Sequence, residues 1–400
     1  MKFKLAILPL LFFCNNLLSQ TWTLYGNMPG TAIRSIAIDS SNDVWTASFD
    51  AGVGYFDLVN PVTYNTSNSS LASNITLCVT IDSEGNKWIG TYNQGLYKFD
   101  GSTWTNYNKS NSGLPWNQVN AIGFDENGVL WACCQIGGLA KFDGSAWTVY
   151  KTTQGLPSNN VNGIAFENSH IWLATYAGLS DFDGTTFTNY TTSNSSLPHN
   201  QVYCVVIDDF NNKWIGTAGG LLKIDNLNNW SSFTTNNSGI PHDYVQSIAI
   251  DSSNIWVGTS QGGLGKFDGV STWETFNPDN SLCPDFSIRS LAVDYENNLW
   301  VGSNVSGLAF FGTQNFTSTK IKSDDTKKPL IIQNNSQIVI KQNQLSGSKV
   351  CLTTIDGKIV LSDFCVGDVC FINKELFPKG VYFTTVSNSN GCFNEKIVIE

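Results

Sequence analysis

The chain is short of charge. Only 14% of its 400 residues are Asp, Glu, Lys or Arg, and 22 cationic against 32 anionic side chains leave a formal net charge of −10. Such a surface repels phosphate backbones, which argues against a nucleic-acid partner. Histidine is nearly absent: His170, His199 and His242 make up the set. There is no HExxH, CxxC or phosphate-loop pattern, so no zinc peptidase site, redox pair or nucleotide cradle is indicated. No metal or cofactor is implied. No stretch keeps a helical period, and beyond the N-terminus none is apolar enough to cross a membrane.

What the chain does have is periodic tryptophan. Trp45, Trp88, Trp131, Trp172, Trp214, Trp256 and Trp300 follow one another at steps of 43, 43, 41, 42, 42 and 44 residues. Each step repeats one phrase, clearest in IDSEGNKWIGTYNQGLYKFDGSTWTNY (81–107), in which four short β-prone runs are separated by turn residues. In one unit, Val119 to Phe124 is followed by the turn Asp125-Glu126-Asn127-Gly128, then Leu130 to Cys134, Leu139 to Phe142 and Ala146 to Tyr150. A period in the low forties with four strands per unit predicts an all-β fold, a seven-bladed β-propeller.

The other tryptophans fit the same unit. Trp22, Trp104, Trp147, Trp230 and Trp273 fall in fourth strands, where Phe187 and Phe316 stand in for two others, and only Trp116 of the 13 is left over. The twelve read as packing between blades, because large rings fill wide gaps between sheets. QTWTLY (20–25) copies a fourth strand but precedes the first unit, so Thr21 to Tyr25 is expected to complete the blade of Ser287 to Phe311. QNFTST (314–319) competes for that place. The Asp-x-x-Gly-Asn phrases read as hairpin turns rather than calcium loops, since each offers few convergent carboxylates.

Composition divides the chain. Residues 1–19 read as a signal peptide, with Lys2 and Lys4 before the apolar run Leu5 to Phe13. The propeller is expected over 20–318, a polar linker over 319–329, and a small β-sandwich of five or six strands over 330–400, with a tight turn at Asp356-Gly357. Cys78 and Cys204 read as buried small hydrophobes, and Cys351, Cys365, Cys370 and Cys392 offer one or two disulfides in an exported chain.

Two resemblances follow from particular residues. Through IDGKIV (355–360), LFPKGVYF (376–383) and the terminal EKIVIE, the tail resembles the C-terminal sorting domain of the type IX secretion system of Bacteroidetes. That resemblance implies passage through the outer membrane on the type IX machinery, then release or surface attachment. The phrase Asp-x-x-Gly-Asn-x-Trp-Ile-Gly-Thr with its following Gly-Leu and aromatic-Asp turn, at 82–100 and with changes at 208–225, is similar to two-component regulator propeller repeats. It implies the fold and a habit of binding ligands.

Candidate site residues gather at one end of the expected ring. Alignment on the turn acid puts Ser73, Trp116, Ser158, His199 and His242 at one place in the loop that leads into each unit, and Tyr92 and Tyr176 in the other loops of that end. Trp116 either packs under its own loop or offers an exposed ring to a sugar or a partner side chain. Five residues before each turn acid stand Arg34, Leu77, Asn120, Asn162, Tyr203, Gln246 and Arg289, a mostly polar set expected to face water at the channel mouth. Ring closure brings Arg34 beside Arg289, where the pair either attracts an anionic ligand or braces the seam against Asp50 or Asp285. The sequence therefore points to an exported, monomeric propeller that binds a glycan or protein ligand without catalysis. The alternative is a lyase or hydrolase that uses His199 or His242 as base or metal ligand.

Overall fold

The computed structural model describes residues 20–25, 30–57 and 61–312, and in the tail 330–333, 337–341, 349–354, 358–364, 369–373, 376–388 and 391–399. The expected signal peptide, the linker and QNFTST lie outside them. The chain divides into two compact units, Met1–Gln314 and Asn315–Glu400.

Among the described residues, the first unit consists of seven four-stranded antiparallel sheets. Blades one to six occupy 33–64, 76–107, 119–150, 161–190, 202–233 and 245–276, and blade seven occupies 288–312 together with Thr21–Tyr25. The first strands of successive blades lie side by side all the way round, with Ile288–Val293 returning to Ile33–Ile38, so they line the axis of a closed ring. This is the expected propeller.

The hairpin between the first two strands explains why the phrase repeats. In six blades the turn Asp accepts backbone N–H groups two and three or four residues on, as Asp82 does from Glu84 at 3.0 Å and Asn86 at 2.8 Å. Its other oxygen accepts the indole N–H of the repeat tryptophan. All seven blades make that bond, at 2.7 to 3.3 Å, with Glu167 serving in blade four. Burial works to raise the Asp82 and Asp208 carboxyls, but the indole, asparagine and backbone donors outweigh it and hold both below the usual range.

Each pinned ring then fills a seam. Trp88 stacks on Tyr107 of its own blade at 5.8 Å and meets Phe124 of the next blade edge-on at 6.1 Å. Its other cover is a lysine, Lys98, 5.5 Å from the ring centre. Fourth-strand rings stack on the third strand, as Trp104 does on Phe99 at 4.4 Å. Blade one differs, because Pro61 stands opposite Phe56 where other blades carry a ring. An outermost strand tolerates proline, since no further strand needs its missing N–H.

Closure is made by the N-terminal strand. Thr21–Tyr25 pairs antiparallel with Leu308–Gly312, setting Trp22 against Phe311. Trp22 packs on Phe311 at 4.9 Å and on Phe276 of blade six at 6.0 Å, while Tyr25 stacks on Trp300 at 5.4 Å and reaches Phe56 of blade one at 4.9 Å. Gly307 N–H donates to the Thr31 carbonyl at 2.9 Å across the same seam.

The second unit holds a three-stranded and a four-stranded sheet. Ile340 and Ile372 of the first share one core with Val350, Leu352, Tyr382, Val386, Ile397 and Ile399 of the second. Among its described residues the tail has seven strands rather than the expected five or six, the addition being Leu330–Gln333, which pairs with Gln337–Lys341. Asp356-Gly357 lies outside the described residues. Cys351 is a free thiol, which removes it from the disulfides that the sequence offered; Cys365 and the side chains of Cys370 and Cys392 lie outside the description. Cys78 is buried as expected, and Cys204, half-buried as a residue, packs against a core cluster; desolvation pushes both thiols up to about 12.

Trp22→Ala opens the closing seam from a half-buried position, and the expected cost is about 2–3 kcal/mol, below the full range for a buried ring. Thermal unfolding of the purified protein should fall by several degrees. An unchanged melting temperature overturns the closing role of Thr21–Tyr25.

Candidate functional site

Every inner strand carries a β-bulge at its second residue. The register shifts between Ile33 and Ser35, Thr76 and Cys78, Val119 and Ala121, Val161 and Gly163, Val202 and Cys204, Val245 and Ser247, and Ile288 and Ser290. The skipped residues are Arg34, Leu77, Asn120, Asn162, Tyr203, Gln246 and Arg289, the ring read from the sequence. A bulge leaves one residue out of the ladder and re-aims its side chain. All seven are half-buried at one mouth of the ring.

Their surroundings separate them. Asn120 donates to the Val161 carbonyl at 2.9 Å and Asn162 to the Val202 carbonyl at 2.8 Å, so both amides brace the next blade rather than facing water alone. Tyr203 stacks on Tyr244 at 4.7 Å, their hydroxyls are hydrogen-bonded, and Tyr176 meets Tyr203 edge-on at 6.4 Å. Burial, then the Tyr244 contact, pushes the Tyr203 hydroxyl well above its ordinary value. The Gln246 carbonyl oxygen is buried without a partner in the described structure.

The two arginines carry the charge. Burial lowers the pKa of both, and for Arg34 the neighbouring Arg289 lowers it further. Arg289 Nε donates to Asn304 Oδ1 at 3.1 Å. The Arg34 guanidinium lies 4.7 Å from the Phe49 ring centre, and its buried Nε has no partner. Among the described residues neither arginine forms an ion pair. The acids expected to brace them are engaged elsewhere: Asp50 accepts from Thr31 N at 2.9 Å and Thr31 Oγ1 at 2.8 Å, and Asp285 from Ser287 N at 3.1 Å and Val305 N at 3.2 Å. Two cations thus share a half-buried mouth without an ion pair among the described residues, and Asp285 acts on Arg289 only at longer range.

Aromatic rings flank this pair. Phe49 and Tyr92 meet edge-on at 6.1 Å on the side of blades one and two, and Tyr244, Tyr203 and Tyr176 continue along blades six, five and four. Tyr92 is 45% exposed and Tyr176 38%. Phe49 and Tyr244 escaped the sequence reading, although Phe49 stands 43 residues before Tyr92 at the same place in the repeat.

The leading loops are built by side-chain acceptors. Ser73 Oγ, Ser158 Oγ, His199 Nδ1 and His242 Nδ1 each accept the backbone N–H two residues on, at 3.0 to 3.1 Å. Both histidines therefore shape their loops through Nδ1, with the proton on Nε2. Trp116, which has no such acceptor, is 36% exposed, and the Lys109 ammonium lies 4.9 Å from its ring. Gly258-Thr259-Ser260-Gln261-Gly262 matches the spacing of a serine nucleophile elbow, yet it is the loop between two antiparallel strands, not a turn from strand into helix.

Seven antiparallel sheets with bulged inner strands around one axis define a β-propeller. Among solved structures, the chain is similar to the extracellular domain of a putative hybrid two-component system from B. thetaiotaomicron, with TM-score 0.63 and 20% identity over 95% of this chain and 60% of that one. It is similar also to PorZ, an essential bacterial surface component of the type-IX secretion system of Porphyromonas gingivalis, with TM-score 0.61 and 16% identity over 92% and 59%. Virginiamycin B lyase from Staphylococcus aureus matches 74% of this chain over 99% of its own, with TM-score 0.57 and 12% identity. The chain spans about 60% of the first two proteins, and at these identities the likeness is one of fold. No family model and no curated protein sequence matches it.

If the arginines were braces, their loss would weaken the seam. Without carboxylate partners, Arg34→Met and Arg289→Met should leave the melting temperature unchanged or raise it at low salt, since each substitution removes a partly desolvated, mutually repelled charge. A fall of several degrees in both variants would make them braces.

Proposed function

We propose that this chain is an exported propeller acting as a noncatalytic binding module, which captures a glycan or protein ligand bearing an anionic group at the bulged mouth. One observation carries the reading: Arg34 and Arg289 sit together, partly desolvated, and neither forms an ion pair among the described residues. Guanidinium groups are suited to carboxylate or sulfate, which they bind through two parallel bonds. The flanking rings of Phe49, Tyr92, Tyr176, Tyr203 and Tyr244 offer stacking surface beside that charge. Trp116 lies further out on the same end. A lyase or hydrolase built on His199 or His242 is the weaker reading, because both imidazoles already serve their loops.

A glycan array and a pull-down with the purified protein would identify the ligand. Arg34→Met and Arg289→Met should then bind it at least about tenfold more weakly, the loss of one charge-assisted contact, with melting preserved. Undiminished affinity in both variants overturns the site.

Export rests on separate grounds. The leader at 1–19 and the sorting-domain resemblance of 330–400 support delivery by type IX machinery to the surface or medium, and the surface role of PorZ is in keeping with it. Deleting 330–400 should leave a folded propeller held in the periplasm. Normal amounts at the surface or in the medium would refute this route.

A further inference from the structure

Where blades four and five meet, at the end away from the mouth, the repeat is broken three times at once. In blades two, three, five and six the third strand places a lysine opposite the repeat tryptophan, whereas blade four places Asp181 opposite Trp172. The turn acid is Glu167 instead of aspartate, and His170 follows it. In blade five, Ile224 stands opposite Trp230 where the six other blades set phenylalanine. The smaller side chain leaves room for a cavity of ≈ 430 Å³ lined by these residues with Tyr190, Lys213 and the turn asparagines.

The charges there do not balance. Glu167 is matched, with Lys213 Nζ on one oxygen at 2.5 Å and the Trp172 indole on the other at 2.9 Å. Lys213 also takes over the lysine position, 5.6 Å from the Trp172 ring, as Lys87 does for Trp45 in blade one. Asp181 has no lysine or arginine partner among the described residues. Its bond is to His170 Nδ1 at 2.8 Å, and its side chain is only 16% exposed against 45% for the histidine. The wall therefore carries two carboxylates, Glu167 and Asp181, against the single ammonium of Lys213, and a partly buried carboxylate favours a cationic neighbour. Burial, and after it Asp181, raises the Tyr190 hydroxyl, so that ring stays neutral beside the carboxylate.

We propose that this cavity binds a small organic cation, an ammonium or guanidinium group, with Asp181 as its counter-charge and Tyr190 and Trp230 as aromatic walls. Aromatic rings beside a carboxylate are a recurrent way to hold such groups. Glu167, His170, Lys213 and Tyr190 are the other titratable groups on this cavity. The site is independent of the arginine mouth and stands or falls separately.

Titration calorimetry of the purified protein with agmatine tests it, with erythritol as the neutral probe. Agmatine should bind at about pH 8, where its guanidinium and ammonium groups are both charged. Asp181→Asn should abolish binding, and His170→Gln, which leaves the carboxylate in place, should keep it. Ile224→Phe restores the residue of other blades and fills the cavity, so it should abolish binding with melting unchanged or raised, which covers the case in which Asp181→Asn folds poorly. No agmatine binding at about pH 8, equal binding of erythritol, or full affinity in Ile224→Phe would each overturn the proposal.

Discussion

The propeller depends on one hydrogen bond made seven times, from the indole of the repeat tryptophan to the acid of the preceding hairpin turn. An indole N–H buried between sheets without an acceptor would carry its full desolvation cost. The acid removes that cost and at the same time fixes the turn, because its other oxygen holds the backbone N–H groups. Ring and turn are thereby locked in one geometry. The ring can then span the seam, stacked on an aromatic of its own blade, edge-on to the next, and in six blades covered by a lysine. Neighbouring blades meet through side chains that this bond has already positioned.

Both proposed sites lie where the repeat is least regular. The bulges occur in all seven inner strands, so the mouth is a property of the fold, but its chemistry comes from the residue that each bulge presents. Asparagine there reaches back to the adjacent blade and adds stability. Arginine at blades seven and one forms no ion pair among the described residues, and it stays half-buried at the mouth. The seam between blades four and five shows the same logic on the opposite end, where a lysine gives way to Asp181 and a phenylalanine to Ile224.

Much of this was legible from residue spacing. The tryptophan period, the turn acids and the alternation of turn and apolar runs defined blade number and strand order, and alignment on the acid located the ring of residues that the bulges present. Other features were not. QTWTLY and QNFTST carry the same pattern, and no local property says which of two such runs completes a blade across the ring. His199 and His242 stand out as rare residues, yet their Nδ1 atoms do the work of serine hydroxyls in neighbouring loops. Loop shape decides that role, and composition does not reveal it.

The sequence by itself determined the architecture, because propeller blades are local: each is a run of adjacent hairpins whose turns, pairings and buried rings are specified within about forty residues. The tertiary structure alone decided what depends on contacts distant in the chain. Trp22 meets Phe311 only when the ring closes, Arg34 and Arg289 become neighbours only across that seam, and whether a carboxylate reaches either of them depends on which backbone donors hold Asp50 and Asp285. Such partnerships are set by competition among groups brought together from different blades, and periodicity carries no record of its outcome.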